Sequence, residues 1–138
     1  ALLAQKKETE QKYQTAIADA DKLLAAKKYN EAKGKYTEAS TIKPNETYPK
    51  TKIEECDKAL DLLAKKQENA KKHQETITVA SKLLADKKYQ EAKAKYTEAS
   101  AIDPTKNYPK TKITECDKAL ALLAQKKETE QKYQTAIA

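Results

Sequence analysis

Apolar and polar positions along the chain repeat at helical spacing. From Tyr13 to Ala26 the residues Ala16, Ile17, Ala20, Leu23 and Leu24 recur in steps of three and four, which places them on one helix face. Lys27 and Lys28 carry a tight turn into a second helical stretch whose fixed points are Tyr29, Ala32, Tyr36, Ala39 and Pro44. Small and aromatic residues at this spacing form a packing ladder, and the proline cannot continue the helix. A short loop leads to Pro49, tolerated in a first helical turn because its missing N–H would be unpaired there. Ile53, Cys56, Leu60 and Leu63 then resume the stripe, residues 65–75 turn polar, and Ile77, Ala80, Leu83 and Leu84 restore it. No Gly or Pro interrupts the chain between Pro49 and Tyr89, so the pattern predicts one helix from about Pro49 to Asp86. A break near Asn69, an acceptable N-cap, is the alternative.

The same pattern returns after 60 residues, with Tyr89, Ala92, Tyr96, Ala99 and Pro104 as the second ladder. Residues 1–18 and 121–138 are identical, and 61–78 are a looser copy. The chain therefore reads as a single array over 1–138: a partial repeat at 1–12, repeats at 13–72 and 73–132, and a partial repeat at 133–138. The predicted class is all-α, with short helices at about 29–43 and 89–103 alternating with long ones at about 1–26, 49–86 and 109–138. Such an array exposes an apolar face at each end, which predicts end-to-end self-association.

Residues 13–46 resemble the tetratricopeptide repeat, a helix-turn-helix unit of about 34 residues with an aromatic and alanine ladder before a proline. Ala20 and Ala80 match its small first-helix residue, and Leu23 and Leu83 a large one. Ala16 and Asp19, then Thr76 and Val79, stand where the family has Trp and Leu, and the segment beginning YPKTKI lies outside the pattern. The chain thus resembles an elongated tetratricopeptide-like helical solenoid. The resemblance implies a non-enzymatic scaffold that binds a peptide or protein partner on a concave surface lined by the first helices. Carried over by position, that surface comprises Gln14, Ile17, Asp21, Leu24 and Ala25, then Gln74, Ile77, Ser81, Leu84 and Ala85. Packing within the array is the competing role for these residues.

Composition narrows the chemistry. Ala, Lys, Glu and Leu dominate, which favours helix throughout. The net charge of +7 invites a polyanion such as nucleic acid or an anionic surface, and a lysine-rich binding module is the alternative reading. Every one of the 28 basic residues is Lys, however, so the Arg fork suited to phosphate and bases is absent. The lysines also alternate with acids four apart, as in Glu31 and Lys35, Glu68 and Lys72, and Glu91 and Lys95, the mark of a solvated helix face. Nucleic acid is therefore the less favoured partner. Cys56 and Cys116, one per repeat, read as buried small apolar residues. His73 stands where other copies have Tyr13 and Tyr133, a poor position for a catalytic or metal-binding group. No phosphate loop, cysteine pair at metal spacing or nucleophile-base motif is present, so no catalytic, metal or cofactor residue is expected. No apolar run approaches a membrane span. A start at Ala1 inside an apparent helix implies a fragment of a longer array, which leaves the compartment open with the cytoplasm as default.

Overall fold

Five helices follow one another: α1 (Leu2–Ala25), α2 (Tyr29–Ile42), α3 (Tyr48–Ala85), α4 (Tyr89–Ile102) and α5 (Tyr108–Ile137). The computed structural model describes residues 1–137, so the predicted end of the last helix at position 138 lies outside the described residues. All five begin, and the first four end, within a residue or two of the positions read from the pattern. The third helix starts at Tyr48, one residue before Pro49, and Pro49 is fully buried in its first turn.

No break occurs at Asn69: α3 is a single helix of 38 residues. Residues 61–72 are exposed throughout, so tertiary packing does not impose the helix there. Straight-chain helix formers and a Glu68–Lys72 pair at 3.1 Å sustain it locally.

The α1–α2 turn closes with the Lys28 N–H donating to the Leu23 carbonyl and the Lys27 N–H donating to the Leu24 carbonyl, both at 2.9 Å. That crossed pair is the Schellman arrangement, which demands a left-handed residue after the helix. Lys27 supplies it at φ 61°, and Lys87 does the same at φ 60° in the α3–α4 turn.

The chain divides into two compact units, Ala1–Lys65 and Lys66–Ala138. In the first, Ala20, Ala32, Tyr36 and Cys56 form a buried cluster flanked by Ile17, Leu23, Leu24, Tyr29 and Ile53. Beside it Tyr13, Ala16 and Ala39 are buried with Ile17 and Ile42 against them. In the second unit Ile77, Ala80, Ala92, Tyr96, Ala99 and Cys116 form the core, with Leu83, Leu84 and Ile113 packed around it. The alanines at ladder positions have no exposed surface. A methyl group there lets two helix backbones approach, so each ring of Tyr36 and Tyr96 meets side chains from more than one helix.

Candidate functional site

The resemblance-based surface divides into three environments. Ile17, Leu24 and Leu84 are half-buried and packed on the core clusters, and Ile77 is a core residue. Gln14, Ala25, Gln74 and Ala85 are exposed. Asp21 and Ser81, which occupy equivalent positions, hold the ladder tyrosines. The Tyr36 hydroxyl donates to Asp21 Oδ1 at 2.5 Å, and the Tyr48 hydroxyl donates to the same oxygen at 2.9 Å. In the second unit the Tyr96 hydroxyl and Ser81 Oγ are 3.1 Å apart. Burial, reinforced by the Asp21 carboxylate, pushes the Tyr36 phenol far above its ordinary value, and burial raises Tyr96 as well.

Tyr48 and Tyr108 sit at recurring positions, yet each keeps about half of its surface exposed (42% and 50%). Each presents an edge to its ladder tyrosine with ring centroids 6.3 Å apart, Tyr48 to Tyr36 and Tyr108 to Tyr96. Lys52 Nζ lies 5.5 Å from the Tyr48 ring centre and Lys112 Nζ 5.6 Å from that of Tyr108. These contacts occupy one ring face that a stacked base would need.

A groove recurs in both units where a short helix begins beside a long one. In the first it holds about 370 Å³, lined by Lys27, Lys28, Tyr29, Leu60 and Leu63 among others. In the second it holds about 350 Å³, lined by Lys87, Lys88, Tyr89, Leu120 and Leu123 among others. Leu63 and Leu123 retain 43% and 50% of their surface there, although the sequence pattern assigns them to the packed stripe. The signal in the sequence was the pairing of two leucines with a lysine turn at the same offset in both repeats.

Ten lysine–carboxylate pairs form among the described residues. Lys35 pairs with Glu38 at 3.3 Å and Lys95 with Glu98 at 3.1 Å, rather than with Glu31 and Glu91 as the spacing suggests. Glu31 and Glu91 lie in the first turns of α2 and α4, where the helix dipole favours an acid. Between helices, Lys33 reaches Asp57 and Lys93 reaches Asp117, each at 2.7 Å.

Cys56 and Cys116 are buried free thiols whose ionisation burial pushes upward, with Glu55 and Asp57, then Glu115 and Asp117, adding to the effect. They are therefore poor nucleophiles. His73 is half-buried and its Nε2 has no hydrogen-bond partner. Among the described residues no group of three His, Cys, Asp or Glu side chains could hold a metal ion. Among them, too, no helix is long and apolar enough to cross a membrane. No family model, curated protein or solved structure matches the chain.

Proposed function

We propose that the chain is a non-enzymatic interaction scaffold of tetratricopeptide-like repeats, a solenoid element that holds a peptide or protein partner. The observation that carries this reading is the groove present in both units with the same residue types: a half-buried tyrosine, two leucines and two lysines. The buried polar chemistry of each unit is spent on fixing Tyr36 and Tyr96, which leaves the grooves as the recurring apolar surface. An apolar side chain flanked by a carboxylate fits them, seated on the leucines with its charge toward the lysines.

The test is a selection of short peptides on the whole chain, with counter-selection on a Leu63→Lys, Leu123→Lys variant. The reading expects peptides with an apolar anchor beside an acid, whose affinity falls at least tenfold on the variant. Peptides that bind both proteins equally would contradict it. Steeply salt-dependent binding to heparin or single-stranded nucleic acid, unaffected by the leucine changes, would instead establish the lysine-rich polyanion module.

A further inference from the structure

The loop between α2 and α3 carries Asn45, Glu46 and Thr47 in succession, an asparagine followed two residues on by a threonine with no proline between them. Of the four asparagines only Asn45 stands in this pattern, since Ala32, Lys71 and Pro109 occupy the threonine place after Asn30, Asn69 and Asn107. Asn30 and Asn69 lie inside helices. The Glu46 N–H donates to the Lys43 carbonyl at 3.2 Å, so Pro44 and Asn45 form the corner of a β-turn. Lys50 Nζ braces that corner by donating to the Pro44 carbonyl at 2.7 Å, and the Thr47 carbonyl accepts the Thr51 N–H at 3.0 Å as α3 begins. Asn45, Glu46 and Thr47 are all exposed. In the second unit the same corner is closed on itself: Thr105, at the place of Asn45, donates its N–H and its hydroxyl to Asp103 Oδ1 at 3.1 and 2.5 Å. Lys43 replaces that aspartate in the first unit and pairs with Glu10 and the Tyr13 ring, which leaves the Asn45 carboxamide to solvent.

We propose that Asn45 is the acceptor of an asparagine-linked glycan, transferred from an oligosaccharide carried on a polyprenyl diphosphate. In that transfer Asn45 Nδ2 bonds to the anomeric carbon of the first sugar and the carbon–oxygen bond to the diphosphate breaks. The diphosphate leaves with the electron pair, and one amide proton passes to a base of the transferase. The exposed Thr47 hydroxyl is the element by which a transferase reads the acceptor. The folded chain has room for the product, because the acceptor lies on an exposed corner and outside the buried clusters. The groove at Tyr29 stands at the other end of α2, whose 14 residues span about 20 Å, so a glycan on the loop leaves the groove leucines uncovered. Cys56 and Cys116 have no exposed surface, so the oxidising compartments in which such transfers occur leave both thiols intact. The inference extends beyond the scaffold reading and does not rest on it.

The experiment has two arms. In one, the whole chain behind a cleavable secretory signal is translated with endoplasmic-reticulum vesicles; in the other, the peptide containing Asn45 is recovered from the parent protein in its own cells. In both, the mass should rise by one glycan, removable by an amidase that cuts the sugar–asparagine bond and leaves aspartate at position 45. In the first arm Asn45→Gln and Thr47→Ala should abolish the shift, Thr47→Ser should retain it, and Asn107→Gln should leave it unchanged. Circular dichroism should give the same helix content with and without the glycan. An unmodified Asn45 in either arm would overturn the proposal. So would a shift that survives Asn45→Gln, or a glycosylated chain that has lost helix.

Discussion

The Tyr36 hydroxyl reaches across from α2 to the Asp21 carboxylate on α1 at 2.5 Å, and at the equivalent place in the second unit Tyr96 meets the neutral Ser81 at 3.1 Å. The two units therefore hold the same buried phenol with partners of different charge. Removing the partner leaves a buried hydroxyl without one, which costs about 1–3 kcal/mol, and more for a charged partner than for a neutral one. Asp21 also holds Tyr48. Asp21→Ala should therefore lower the thermal midpoint more than Ser81→Ala, and thermal scans of the two variants decide the order. Equal losses would show that the carboxylate adds nothing to the buried contact.

Gly34 lies inside α2 at the position that Ala94 occupies in α4, and a Cβ built on it would meet nothing within 4 Å. Gly34→Ala should stabilise the chain by about 0.5–1 kcal/mol, since it removes backbone freedom from the unfolded state without a clash. Chemical denaturation of the variant should show a higher midpoint at an unchanged slope; a lower midpoint would contradict the open space seen at this site.

Lys27 and Lys87 hold left-handed backbone conformations that glycine adopts without cost. Relief of that strain, about 1–2 kcal/mol for an L residue, exceeds the extra flexibility glycine brings to the unfolded chain. Lys27→Gly should therefore raise the midpoint modestly in the same denaturation experiment, and a clear loss would mean that the lysine side chain contributes contacts outweighing the strain.

Alkaline pH acts on groups whose folded values lie above their unfolded ones. Burial raises Cys56 and Cys116 from 9.0, and Tyr36 and Tyr96 from 10.0. Above those unfolded values the unfolded chain loses protons that the folded chain keeps, so stability falls as pH rises. The contribution is complete below pH 9 and declines above it. Urea midpoints should be flat from pH 7 to 8.5 and lower at pH 10.5, and Cys56→Ala with Cys116→Ala should move the onset toward the tyrosine range. A midpoint unchanged at pH 10.5 would show that these groups are not protected by burial.

Much of the fold was legible because the deciding interactions are local in sequence. The ladder from Tyr29 to Pro44 needs only neighbours three and four residues away, and the ends of α2 at Ile42 and α4 at Ile102 follow from the prolines two residues on. The uninterrupted run through Asn69 was legible for the same reason, since nothing but helix formers occupies it. The role of Asp21 was not, because its partners Tyr36 and Tyr48 come from other helices. The exposure of Leu63 and Leu123 was not legible either, because periodicity along one helix does not encode what a neighbouring helix covers. Tyr48 recurs as Tyr108, yet recurrence reports equivalence between repeats and not burial, and both remain partly exposed.

The central claim is that alanine at the ladder positions permits the close helix approach on which each unit is built. Ala39 and Ala99 have no exposed surface and sit against neighbouring helices. A leucine at either place adds three carbons where no space exists, which costs about 1–3 kcal/mol or more. The direct measurement is the thermal unfolding midpoint of Ala39→Leu and Ala99→Leu against the parent chain. The account predicts a fall on the order of 5 °C or more for each; midpoints within a degree of the parent would contradict it.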